Sequence, residues 1–255
     1  MLEIIRIPVL NDNYVWLIHT RDGLTAVVDP AVSEPVMAEI NARRWTLTHI
    51  LNTHHHADHT GGNLALKELT NCTIVGPSAD QARIPGIDVE VGDGETYQLG
   101  SVTAEVLDIP GHTHGHIAYH FAHDDALFCG DTLFALGCGR VFEGTMEQMW
   151  SSLSKIATLP SSTKVYCAHE YTQANGRFAL SIEPNNRKLI SRMEQIDRMR
   201  AEGIPTVPSI LGDEFDTNPF LRPYSDEIQE TLDLKGARLV EVFTKTRLLK
   251  DSFKG

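Results

Sequence analysis

Residues 53–59 read THHHADH and follow the apolar run LTHILN at 47–52. In extended geometry alternate side chains share a face, so His54 and His56 point together and His55 points away. Asp58 and His59 then lie on the turn that follows, ahead of Gly61 and Gly62. The stretch therefore offers two imidazoles to one cation, and a carboxylate with an imidazole to a neighbour. The bland alternative is a solvated histidine-rich loop. Packing nitrogen and oxygen donors this densely behind an apolar strand suits a metal site better.

Three segments further along can complete such a site. IPGHTHGH (109–116) carries His112, His114 and His116, FCGDTLF (128–134) carries Asp131, and YCAHEYT (166–172) carries His169. One polar residue at a strand end is ordinarily a cap or a surface group, and THHHADH upstream reverses that expectation. If residues 112–116 stay extended, all three histidines share a face, so spacing does not rank them. Asp29 ends VVDP at 27–30, where a strand-end turn residue is ordinary.

Working outward, the first 173 residues read as short strands with a few helices. EIIRIPVL (3–10) and NYVWLIHT (13–20) flank Asn11, Asp12 and Asn13 as a hairpin. SEPVMAEINARR (33–44) predicts a helix capped by Ser33, and TMEQMWSSLSKIATL (145–159) predicts one opened by a Thr145–Gln148 capping box. After His169 the texture becomes helical. Leu189, Met193 and Ile196 recur at helical spacing, and GARLVEVFTKTRLLKDSF (236–253) predicts a terminal helix with Leu239, Val242 and Phe243 on one face. Strands with interspersed helices, then helices alone, predict an α/β sandwich over 1–173 and a helical domain over 174–255.

Composition narrows the function. The chain has 255 residues, 42% hydrophobic and 22% charged, which excludes disordered and fibrous classes. Its net charge of −12 argues against nucleic acid or an anionic membrane as the main partner. No window reaches the apolar length of a membrane span. Residues 1–173 hold 9 Lys+Arg against 21 Asp+Glu, whereas residues 174–255 hold 13 of each, so the basic side chains concentrate in the second part. Cys72, Cys129, Cys138 and Cys167 form no CxxC pair, and reduced thiols in the cytoplasm are the expectation.

Taken together HxHxDH, GHTxGH, GDTLF and AHEYT, in this order, resemble the metallo-β-lactamase superfamily. Within it LNDNYVWLI (10–18), NTHHHADHTGG (52–62), GCGRVFEGT (137–145), AHEYTQAN (168–175), NPFLR (218–222) and RLLKDSF (247–253) resemble glyoxalase II, the hydroxyacylglutathione hydrolases. The resemblance implies an αββα sandwich followed by a smaller α-helical domain. It implies two divalent metal ions per chain, zinc first with iron or manganese as alternatives. His54, His56 and His112 would hold one, and Asp58, His59 and His169 the other, with Asp131 bridging and His116 behind; Asp29 resembles a superfamily acid that orients a ligand imidazole, its alternative being a plain turn residue. Asp58 and Asp131 would serve catalysis, in which a metal-bridging hydroxide cleaves the thioester of S-D-lactoylglutathione to glutathione and D-lactate. Arg140, Phe142, Tyr171, Arg247 and Lys250 would bind the glutathione part. Where family members carry lysine and tyrosine, this chain has Arg140, which keeps the charge, and Phe142, which offers no hydroxyl. A small-molecule thioester as sole partner, a monomer and a cytoplasmic location complete the expectation. The rivals are a mononuclear iron persulfide dioxygenase and a metal-binding protein without catalysis, whose mark is a closed, fully protein-ligated site.

Overall fold

The computed structural model describes residues 2–254. β1 (Glu3–Val9), β2 (Asn13–His19), β3 (Thr25–Val28), α1 (Glu34–Arg43), β4 (Leu47–Leu51), α2 (Ala57–Thr60), α3 (Asn63–Thr70), β5 (Thr73–Pro77) and β6 (Val89–Val91) build the first half. Its six strands form one sheet in chain order, antiparallel as far as β3 and parallel beyond it. The parallel part needs crossovers, and α1 and α3 supply two of them. β7 (Thr96–Leu99), β8 (Val102–Asp108), β9 (Ile117–Phe121) and β10 (Ala126–Gly130) follow as an antiparallel meander. After the small hairpin of β11 (Leu133–Phe134) and β12 (Gly137–Cys138), and after α4 (Met146–Ile156), β13 (Lys164–Cys167) pairs in parallel with β10.

Alternation in β2 shows why the layers stack. Tyr14, Trp16 and Ile18 enter the core between the sheets, whereas Val15 and Leu17 enter a second core with Val36 and Ile40 of α1 and Leu66 of α3. A strand buried on both faces has to be apolar at nearly every position, as NYVWLIHT is. Two buried bonds tie the sheets where the site lies. Trp16 Nε1 donates to the Cys167 carbonyl (3.0 Å) and the Tyr119 hydroxyl to the Asn52 carbonyl (3.0 Å).

The remainder comprises α5 (Thr172–Ile182), α6 (Arg187–Ala201), β14 (Ser209–Ile210), α7 (Leu211–Thr217), α8 (Asp226–Thr231) and α9 (Leu239–Ser252). It is not helices alone. β14 pairs antiparallel with Lys164 and Val165 of β13 and becomes the edge of the second sheet. Two residues leave no period to read, so the sequence carries no mark of this strand. On α9 Val242 and Phe243 are fully buried as expected, but Leu239 is exposed, because the buried stripe runs instead through Thr246 and Arg247. Thr145 and Gln148 form the expected capping box, while Ser33 precedes α1 without a side-chain cap bond. All four cysteines are free and buried. Among the described residues, no helix is long and apolar enough to cross a membrane.

Candidate metal centre

The loops that leave the C-terminal ends of β4, β8, β10 and β13 meet at one edge of the sandwich. They carry residues 53–59, His112, Asp131 and His169. β4 stops at Leu51, so His54 and His56 are brought together by the irregular backbone after the strand and not by strand alternation. The outcome for facing is the expected one: His54 Nε2 and His112 Nε2 each lie 3.1 Å from His56 Nδ1, while His55 turns away to Asp80 (3.0 Å). Asp58 and His59 sit on the single turn of α2.

Among the described residues three donor groups are close enough to hold an ion, and one of them, Asp29 with His54 and His59, has its carboxylate taken up by Thr53; the other two share no residue. His54, His56 and His112 form one; Asp58, His59 and His169 form the other. Asp131 stands between them, with Oδ1 3.5 Å from His59 Nε2 and 3.4 Å from His169 Nε2, and Oδ2 3.5 Å from His112 Nε2. Asp58 Oδ2 is 3.6 Å from both His59 Nε2 and His169 Nε2.

Four of the rings, those of His54, His59, His112 and His169, are held from behind. Asp29 accepts from the Thr53 amide (2.7 Å) and hydroxyl (2.6 Å) and faces His59 Nδ1 (3.1 Å), so it is the orienting acid and more than a turn residue. His54 Nδ1 lies 3.0 Å from the Thr53 hydroxyl, and His112 Nδ1 donates to the Arg140 carbonyl (2.8 Å). The ambiguity among residues 112–116 disappears because the segment is a loop, not extended strand. His114 points away from the cluster and contributes its backbone N–H to Glu143, while His116 lies buried behind the centre. His116 stacks on His54 (4.5 Å) and accepts from the Asp131 amide (3.2 Å). Gly130 precedes that amide at φ +48°, where a Cβ would stand 2.3 Å from the Thr53 hydroxyl, so the GD of GDTLF is a steric requirement.

Protonation follows the same division. Burial pushes His54, His56 and His112 down, which leaves neutral imidazoles with lone pairs to give. Burial also opposes a charge on His59 and His169, yet Asp131 outweighs it and raises both. Asp131 in turn is held well below the usual carboxylate range, because those two imidazoles overcome its burial.

A cavity of about 480 Å³ opens over this cluster and runs to the helical part. Arg140, Phe142, Tyr171, Arg247 and Lys250, the expected substrate-binding residues, all line it. Tyr171 stacks on His169 at 4.7 Å. Phe142 is 62% exposed, its ring 5.2 Å from that of His112. Arg247 is no solvated side chain. It is 3% exposed, donates through Nη1 to the Cys138 carbonyl (2.7 Å) and through Nη2 to Asp251 (2.9 Å), and keeps Nε without a partner. Lys250 Nζ reaches the Ala174 carbonyl (3.2 Å), and burial beside Arg247 and Arg140 brings its pKa down to about 8. Cys138, Asn175 and Asp12 lie inside quoted segments that gave them no role; the first two line the cavity wall, and Asp12 meets His169 Nδ1 at 2.9 Å. For Asp12 no local signal reports a contact with a residue 157 positions along the chain.

The family description "Metallo-beta-lactamase superfamily" matches residues 10–169, and "Hydroxyacylglutathione hydrolase C-terminus" matches residues 170–253. A hydroxyacylglutathione hydrolase of Methylococcus capsulatus is 60% identical over 256 residues, covering 100% of both chains. ETHE1 from Myxococcus xanthus has a similar solved structure, with TM-score 0.65 and 25% identity over 98% of this chain and 97% of that one. TTHA1623, solved in a di-iron-bound form, is 25% identical with TM-score 0.55 over 66% of this chain and 91% of that one.

Proposed function

The chain belongs to the hydroxyacylglutathione hydrolase family of the metallo-β-lactamase superfamily, and from that premise we propose that it hydrolyses S-(2-hydroxyacyl)glutathione, chiefly S-D-lactoylglutathione, to glutathione and D-lactate. One observation carries this reading: a single cavity joins the histidine–aspartate cluster to the cationic side chains of Arg140, Arg247 and Lys250. Glutathione thioesters present one reactive carbonyl and two distant carboxylates, and the cavity matches both ends.

The donor set suits two divalent ions. His59 Nε2 and Asp131 Oδ1 are buried without a hydrogen-bond partner, and the carboxylate-rich half of the cluster draws positive charge onto His59 and His169. Divalent cations would satisfy both demands. In this reading His54, His56 and His112 would hold one ion and Asp58, His59 and His169 the other, with Asp131 within reach of both groups. Imidazole with carboxylate favours zinc, with iron or manganese as alternatives, and the di-iron form of TTHA1623 supports room for two. When bound, the ions supply an ionised water at neutral pH and polarise the thioester carbonyl.

The chain's own residues do the rest. Arg140 and Lys250 bind the substrate carboxylates, and the guanidinium of Arg247, held against the cavity wall by the Cys138 carbonyl and Asp251, adds positive charge beside them. Tyr171, kept as a phenol by burial, closes the wall beside His169. Asp58 faces His59 and His169 through Oδ2, and its other carboxylate oxygen would take the proton of the attacking water. The carbon–sulfur bond then breaks toward a thiolate of ordinary pKa about 8.5, which leaves without a general acid. Residues 1–173 would form the catalytic part and also lend Arg140, Phe142 and Tyr171 to the cavity wall, while residues 174–255 would form the substrate-binding part that adds Arg247 and Lys250. Every participant lies on one chain, which supports a monomer, and four free buried thiols support a reducing cytoplasm. Turnover on lactoylglutathione, an acyl coenzyme A, glutathione persulfide and a β-lactam tests the proposal. It requires lactoylglutathione to lead, and a preference for any other overturns it.

A further inference from the structure

The turn between β1 and β2 reads as a hairpin connection, but it lies at the same edge of the sandwich as the cluster, and its side chains and backbone close on it. Asp12 Oδ1 accepts from His169 Nδ1–H at 2.9 Å, so Nε2 faces Asp131 and Asp58. Asn13 Nδ2 donates to Asp58 Oδ2 (3.1 Å) and to the Asp58 carbonyl (3.3 Å), and its side chain is buried to do so. Backbone bonds lock the register. The Tyr14 amide donates to the Ala168 carbonyl (2.7 Å), the Glu170 amide to the Asp12 carbonyl (2.9 Å), and Asn13 bridges His169 in antiparallel fashion. One turn thus grips two of the three residues assigned to the second ion, His169 from behind its ring and Asp58 from beside its carboxylate.

The two halves of the cluster differ in what stands behind them. His59 and His169 each back onto a carboxylate, Asp29 and Asp12, whereas His54 backs onto a hydroxyl and His112 onto a carbonyl. A carboxylate behind a ligating imidazole fixes its tautomer and raises its basicity. Of the two carboxylates, Asp29 is buried in the core of the site and Asp12 is supplied by the exposed turn.

We propose that Asp12 and Asn13 are positioning residues for the second metal ion, and that the β1–β2 turn is a built part of the metal centre. The proposal rests on the binuclear reading above. It predicts a selective defect, in which the ion at Asp58, His59 and His169 is held weakly while the ion at His54, His56 and His112 is untouched.

The test is zinc titration of the full chain against a chromophoric chelator, with circular dichroism recorded on the same samples. Asp12→Ala should keep the first equivalent at unchanged affinity and weaken the second about 10- to 100-fold. Asp12→Asn, whose amide oxygen still accepts from Nδ1–H, should recover part of that loss and guards against a turn that fails to fold. Asn13→Ala should also weaken the second equivalent alone. Asn11→Ala, in the same turn without a contact to the cluster, should bind both ions as the unsubstituted chain does. An unchanged second affinity in Asp12→Ala overturns the proposal, as does an equal loss in Asn11→Ala. If the unsubstituted chain itself saturates at one equivalent, the binuclear reading fails first and the proposal falls with it.

Discussion

Lys250 is the group whose titration a substrate meets in the working range of pH. Burial and two neighbouring guanidinium groups lower it to about 8, so its ammonium is present below pH 8 and is lost as pH rises through that value. KM for lactoylglutathione should therefore climb between about pH 7.5 and 9 while metal content holds. Lys250→Arg, charged throughout, should flatten the profile, and a profile unaltered by that substitution would remove Lys250 from substrate binding. Asp131 is the other decisive residue. Asp131→Asn leaves one oxygen fewer for two cations, and should reduce bound metal below two equivalents and activity by about 100-fold or more; full metal content in that variant would contradict the bridge.

At the scale of elements, the loop over residues 139–144 determines where Arg140 and Phe142 stand. Glu143 holds it: Oε1 accepts from Arg83 Nη1 (2.5 Å), and Oε2 from Arg83 Nη2 (3.0 Å) and from the His114 amide (2.9 Å). Arg83 also pairs with Asp80 and reaches His55 Nε2 (3.1 Å), which ties the loop to the stretch that carries His54 and His56. Hydrogen bonding from Arg83 brings Glu143 down to about 2, so the clasp stays ionised at every useful pH. Glu143→Ala should raise KM about 3- to 10-fold with kcat and metal content nearly unchanged, since the loop lies away from the scissile carbonyl. A fall in kcat alone would assign Glu143 to chemistry instead. His55, turned from the cations, should show a weaker version of the same KM effect. Much of this centre was legible because each motif packs its donors into a few adjacent residues. The facing of His54 and His56 was anticipated, although irregular backbone produces it and not a strand. Asp12, Arg83 and the burial of Arg247 were not legible, because His169 lies 157 residues from Asp12 and Glu143 lies 60 from Arg83. Only the closed sandwich brings such partners together, and no periodicity records them.

The whole molecule is an acidic sandwich that gathers negative charge around a buried cluster, and stability and metal loading are therefore linked. An ion that binds the folded chain and not the unfolded one stabilises it by about 2.7 kcal/mol at 100 times its dissociation constant. For a chain of this size that corresponds to roughly 5 to 10 °C in Tm. Exhaustive chelation should lower Tm by at least that much, and zinc should restore it. A melting curve indifferent to chelation would mean that the cluster carries no resident cation.

The short strand β14 has a consequence for anyone who would treat the tail as a detachable cartridge. It comes from the later part of the chain yet finishes the sheet of the earlier part, as the edge beyond β13. Cutting the gene before α5 would strip that selvedge and leave β13 as a raw border, the kind of open edge that recruits other chains. Transplanting the substrate-gripping tail to a foreign sandwich would likewise deliver a strand that needs a matching hem. The two parts are stitched, and fusion designs have to carry the seam with them.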